Sequence, residues 1–128
     1  MDTPMTGNLP PQCCGGPSLG AEGVARLRAE LPAQEVVEEI SGLLALLGSP
    51  VRLRVVLALR RQSGLCVCDL AELTGTNLAA VSAHIQKLRL AGVVRSQRDG
   101  QMVRYTLLKV EEVNQLEPML RCALGVSG

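Results

Sequence analysis

Apolar positions through the middle of the chain recur at helical spacing in four successive runs before the period shortens to that of strands. From Gln34 to Leu47, Val36, Ile40, Leu43, Leu44 and Leu47 share one side, Glu35, Glu38 and Glu39 take the other, and Gly48 ends the run. Ser49-Pro50 then supplies an N-cap and a first-turn proline for a helix through about Arg61, with Leu53, Val56, Leu57 and Leu59 as its expected core residues. A short helix from Asp69 to Leu73 turns at Thr74-Gly75. Thr76 or Asn77 caps a longer helix to Leu90 or Ala91, which Gly92 stops; Leu78, Val81, Ile85 and Leu88 form its core stripe, and Ala79, Ala83, Gln86 and Lys87 fall broadly opposite. Two β-rich runs, Val93 to Gln97 and Met102 to Leu107, flank Arg98-Asp99-Gly100-Gln101, where Asp-Gly signals a hairpin. Outside this middle, a helix is expected from about Ala21 to Leu31, ended by Pro32. A last amphipathic run from Val110 to about Leu124 should be kinked or shortened by Pro118 and suits a dimer seam.

The predicted architecture is therefore mainly α with a small β-hairpin: a helix-turn-helix with a wing, over residues 21–128. Residues 1–20 read as a mobile arm, since the first 18 positions hold four prolines and three glycines. Aromatic residues make up 1% of the chain, so the core must be aliphatic, which suits helix packing better than a sandwich. No apolar run approaches the roughly 20 residues of a membrane span and the N-terminus lacks signal-peptide features, so a cytoplasmic protein with no membrane partner is expected.

Charge changes the picture. The net value is only +1, yet the stretch from Arg52 to Lys109 holds ten Lys+Arg against three Asp+Glu, a balance of +7, and the flanks carry −6. A basic middle between acidic ends is the footprint of a nucleic-acid-binding face. On the longer helix, small residues permit close approach, Gln86 suits an adenine edge and Lys87 a phosphate. The candidate DNA-contacting set is Thr76, Asn77, Ala79, Ser82, His84, Gln86 and Lys87, with Arg95, Arg98 and Arg104 on the hairpin. His84, the sole histidine, reads as structural or close to DNA rather than as a metal ligand.

The five cysteines add a second chemistry. Inside a regular helix, residues i and i+2 diverge by about 200°, so Cys66 and Cys68 can share one ion only if the helix opens there. Gly64 before them and Asp69 after them mark a helix start, and the positive end of a helix dipole favours the thiolate that binds soft metals. With the second pair, Cys13-Cys14, in the arm, metal ligation outweighs simple core filling. An odd number of thiols in a reducing compartment argues against a disulfide framework.

Three stretches carry a resemblance that covers roughly Glu35 to Leu124. They are Leu46-Leu47-Gly48-Ser49-Pro50-Val51-Arg52-Leu53-Arg54, Leu65-Cys66-Val67-Cys68-Asp69-Leu70, and Val81-Ser82-Ala83-His84-Ile85-Gln86-Lys87-Leu88-Arg89-Leu90-Ala91-Gly92-Val93-Val94. Together they resemble the ArsR/SmtB family of winged-helix metal-sensing repressors. The resemblance implies a homodimer that sits on operator DNA and leaves it when a soft toxic ion binds. In the cadmium- and lead-sensing branch, arm thiols of the partner complete the Cys-x-Cys pair, which makes Cys13 and Cys14 the candidates here. Their adjacency instead suits a three-thiolate As(III) site, although the third cysteine of one arsenite pattern is replaced by Ala71. The family's zinc site on the last helix aligns with Lys109, Glu111, Cys122 and Gly125, a set that should not bind zinc, which leaves Cys122 as an interface or core residue.

The expected effector is Cd(II), Pb(II), As(III) or Zn(II) on Cys13, Cys14, Cys66 and Cys68, with no organic cofactor. The competing reading keeps the fold and makes those thiols a redox sensor. No convergent acid, base and nucleophile set points to an enzyme.

Overall fold

The computed structural model describes residues 18–125, which fall into two units that divide between Glu39 and Ile40. In the first unit, α1 (Gly20–Glu30) covers Gly23 with the side chain of Leu19. Leu31 leaves the helix with extended backbone (φ −78°, ψ 152°), as the residue before Pro32 must. Helix α2 (Gln34–Leu46) begins with the Gln34 Nε2 donating to Glu38 Oε2 at 3.1 Å and carries the chain into the second unit.

The second unit is built around α3 (Pro50–Arg61). Its start is set locally: Ser49 Oγ accepts from the Arg52 N–H at 3.3 Å and Pro50 occupies the first turn. Helices α4 (Val67–Thr74) and α5 (Leu78–Leu90) pack on it, as does strand β3 (Met102–Leu107), so α3 buries a wide arc. That explains two differences from the expected core. Val55 is fully buried with Val56 and Leu59, whereas Leu53 and Leu57 only edge the core. Leu78, expected in the core stripe of α5, is 50% exposed because it is the helix's first residue and overhangs the packed region; Val81, Ile85 and Leu88 are buried as expected.

The turn between α4 and α5 has a physical signature at each end. Gly75 takes φ +68°, and its neighbour Thr76 donates its N–H back to Ala71 O at 3.1 Å. Asn77, not Thr76, is the cap of α5, its Oδ1 accepting from Ala80 N at 2.8 Å.

The sheet has three strands where a hairpin was expected. Strand β2 (Val94–Asp99) pairs antiparallel with β3, and β3 also pairs with a two-residue strand β1 (Leu65–Cys66), in the order β1-β3-β2. Leu65 faces Tyr105 and Cys66 faces Arg104. The hairpin is tighter than the four-residue loop expected: Asp99 pairs with Met102, leaving Gly100-Gln101 as the turn, with Gly100 at φ +66°.

The last amphipathic run is two helices, α6 (Val110–Asn114) and α7 (Glu117–Ala123). Pro118 starts the second rather than kinking one long helix, because a first-turn proline forfeits no helical hydrogen bond. Arg60 at the end of α3 ties both down, with Nε donating to Asn114 Oδ1 at 2.6 Å and Nη1 3.1 Å from Glu117 Oε1. Val113 is buried, while Cys122, read from sequence as core or interface, is exposed in this chain.

Candidate metal centre and nucleic-acid interface

Cys66 ends strand β1 with extended backbone (φ −93°, ψ 172°) and is at the same time the N-cap position of α4; Cys68 sits in the first turn. The helix opening that the spacing demanded is therefore a strand-to-helix junction. Strand β1 exists only because β3 pairs with it, so a non-local contact creates the backbone conformation that frees Cys66 from the helical 200° divergence. Cys66 is 7% exposed and Cys68 is open to solvent. Both line one cleft of about 380 Å³, whose other walls are Val67, Gln101, Met102, Val103 and Tyr105.

Asp69 organises the junction. Its Oδ2 accepts from the Cys66 backbone N–H at 3.2 Å, satisfying a donor that the helix start leaves free, and from the Cys66 thiol at 3.3 Å. Ligation at Cys66 must displace that thiol proton. Two cysteines lining one cleft, one shielded and one accessible, are soft donors by their chemistry. Among the described residues no group of three His, Cys, Asp or Glu side chains is assembled. Cys13 and Cys14 lie outside the described residues. Of the family's zinc positions, Lys109 caps α6, Glu111 lies on α6, Cys122 on α7, and Gly125 follows it at φ +74°.

On α5 the outward positions Ala79, Ser82, Ala83, Gln86 and Lys87 are all exposed. Gln86 Oε1 accepts from Arg89 Nη2 at 3.1 Å, which brings a further exposed cation onto this face; the i, i+3 spacing of the two residues is the signal in the chain that marks Arg89. Thr76, half-buried, donates its hydroxyl to Thr74 O at 3.4 Å and so belongs to the turn. Arg95 and Arg98 are exposed on β2, Arg98 Nη1 lying 3.5 Å from Gly100 O. Arg104 is committed to protein atoms instead: Nε to Asp99 Oδ2 at 3.0 Å, Nη1 to Gly64 O at 3.0 Å, and Nη2 3.7 Å from Met102 Sδ.

His84 is half-buried on the flank of α5, and its Nδ1 lies 3.1 Å from Arg52 Nη1. An arginine has no acceptor, so Nδ1 accepts and the imidazole proton is on Nε2. Arg52 also donates from Nε to Leu46 O at 2.6 Å. One guanidinium thus joins the C-terminal end of α2, the first turn of α3 and the middle of α5. Nothing in the linear pattern marked Arg52 for this, because its two acceptors lie 6 and 32 residues away.

A family model described as "Bacterial regulatory protein, arsR family" matches residues 49–96. The cadmium resistance transcriptional regulatory protein CadC of Listeria innocua is 36% identical over 78 residues, which span 61% of this chain and 66% of CadC. A transcriptional repressor SmtB homolog of Synechocystis is 34% identical over 94 residues, 73% of this chain and 70% of that protein. Among solved structures, the AntR antimony-specific transcriptional repressor superposes with a TM-score of 0.65 at 30% identity, covering 74% of this chain and 85% of AntR.

Proposed function

Because the chain belongs to the ArsR/SmtB family of winged helix-turn-helix transcriptional regulators, we propose that it is a dimeric repressor released from its operator by a soft ion on cysteine thiolates. The observation that carries this reading is that Cys66 and Cys68 line one cleft at the very start of α4, the first helix of the helix-turn-helix. Relatives named for cadmium resistance and antimony specificity support the class of ion, and Cd(II), Pb(II), As(III) and Zn(II) are its members here.

The route to DNA runs through packing. Leu70 of α4 is fully buried in the same core as Val81, Ile85 and Leu88 of α5, and a close-packed core passes on displacement rather than absorbing it. Cys66 and Cys68 therefore hold the end of a lever whose other arm is the DNA-reading helix. In this reading Ala79, Ser82 and Gln86 approach base edges, Lys87, Arg95 and Arg98 hold phosphates, and Arg104 stiffens the wing. Arm thiols Cys13 and Cys14 complete the donor set from the partner. A bound ion supplies a centre that draws these thiolates together. Reversing occupancy from about 99:1 to 1:99 needs about 5.5 kcal/mol of preference for the released state, well inside the roughly 10–16 kcal/mol of a structural multi-thiolate zinc site. Dimerisation draws on apolar side chains left exposed in the single chain, Ile40 and Leu44 on α2 and Met119 on α7. Burying the exposed remainder of each is worth about 1–2 kcal/mol.

The test titrates Cd(II) into reduced full-length protein, following thiolate charge-transfer absorbance together with anisotropy of a DNA fragment selected from a random pool. Ion-dependent release that Cys66→Ser abolishes supports the reading. Release by peroxide in the presence of chelator, with none by the ion, overturns it in favour of a redox sensor.

A further inference from the structure

The cleft that holds the two thiols carries a third sulfur. Met102 opens β3 two residues before Arg104, so both side chains leave the same face of the strand, and Arg104 is the cross-strand partner of Cys66. Arg104 Nη2 lies 3.7 Å from Met102 Sδ, which confirms the shared face. Cys68 joins from the first turn of α4, and all three sulfur-bearing residues line the same cavity of about 380 Å³.

We propose that this cleft is a three-sulfur site, formed by Cys66 Sγ, Cys68 Sγ and Met102 Sδ, whose ligand class is a soft monovalent ion, Cu(I). The proposal rests on the reading of Cys66 and Cys68 as thiolate ligands and adds both the third donor and the ion's charge. A thioether is neutral and soft, and mixed thiolate-thioether sets favour Cu(I) over harder ions. Met102 is 42% exposed and unbranched, so its side chain reorients without disturbing the core. Met102 also borders the hairpin turn, so a ligand shared with Cys66 and Cys68 ties the wing to the first helix of the helix-turn-helix.

The experiment uses full-length protein, reduced and anaerobic, with Cu(I) supplied through a coloured competing chelator and Cd(II) titrated in parallel. Removing even an outer partner of a metal site typically costs about 10–100-fold in affinity, so Met102→Leu is expected to weaken Cu(I) at least about tenfold while leaving Cd(II) within about twofold. In selenomethionine-labelled protein, X-ray absorption at selenium should show a copper neighbour that Met102→Leu removes. Unchanged Cu(I) affinity in Met102→Leu, or a copper-selenium contact that survives the substitution, overturns the proposal. Cys66→Ser/Cys68→Ser separates the two readings. If that protein binds both ions like the wild type, the thiolate reading itself fails. If it loses both while Met102→Leu is silent, only the third donor is wrong.

Discussion

Replacing Arg52 by methionine keeps most of the aliphatic stem and deletes the guanidinium that joins Leu46 O and His84 Nδ1 at 2.6 and 3.1 Å. Hydrogen bonds from a charged donor are worth about 1.5–3 kcal/mol each when buried; both of these are part-buried, so about half that is reasonable, or roughly 1.5–3 kcal/mol for the pair. For a domain of this size that corresponds to a fall in Tm of very roughly 6–20 °C, measured at fixed protein concentration because a dimer's stability depends on it. The variant should also lose operator affinity beyond any loss of fold, since His84 no longer has its tether and α5 pays to regain its pose; 1 kcal/mol of such cost is about a fivefold weaker complex. A double-mutant cycle with His84→Ala isolates the contact and should return a coupling of about 0.5–1.5 kcal/mol by urea denaturation. Arg52→Lys has one ammonium for two acceptors and should recover about half. Strict additivity of Arg52→Met and His84→Ala, with operator affinity unchanged at temperatures where both remain folded, would refute the claim that this guanidinium positions α5.

Three further outcomes are expected. Lys87→Ala and Arg98→Ala should weaken binding to all DNA sequences and each lower the salt slope by about one unit, whereas Gln86→Ala should relax base preference; salt-dependent anisotropy on matched and mismatched fragments distinguishes them, and a purely uniform effect of Gln86→Ala places the wrong residue against the bases. Cys66→Ser/Cys68→Ser should retain apo DNA binding and show no tight zinc site by calorimetry, because Lys109 and Gly125 cannot serve as zinc ligands; zinc-driven DNA release by this protein would restore the last-helix site. Deleting residues 1–18 should leave operator binding intact, weaken ion affinity and blunt release, and a truncated protein that responds like the full chain would make Cys13 and Cys14 bystanders.

Features governed by a few neighbouring residues were legible in the chain. Ser49-Pro50 opens α3, Asn77 caps α5, and Gly75 and Gly92 end helices at φ +68° and +76°, each through hydrogen bonds spanning five residues or fewer. The Cys-x-Cys pair was legible for the same reason, as was the basic middle of the chain. What misled was any property that depends on how many neighbours surround an element. Val55 is buried because α3 is packed by α4, α5 and β3 together, and Leu78 is exposed because α5 outruns its support.

The sequence by itself determined the caps and stops of α3 and α5, that a hairpin follows α5, and that thiols meet a helix mouth, because local hydrogen bonding and backbone sterics act within a turn or two of chain. Only the tertiary structure decided that β1 exists, since two residues make a strand solely by pairing with β3 some 40 positions later. It likewise decided that Cys66 lies opposite Arg104, that Met102 shares the thiol cleft, and that Arg52 reaches His84. Those contacts each need distant backbone brought together first, a loop-closure cost that the summed burial of Val56, Leu70, Val81 and Leu88 offsets and that no local pattern encodes.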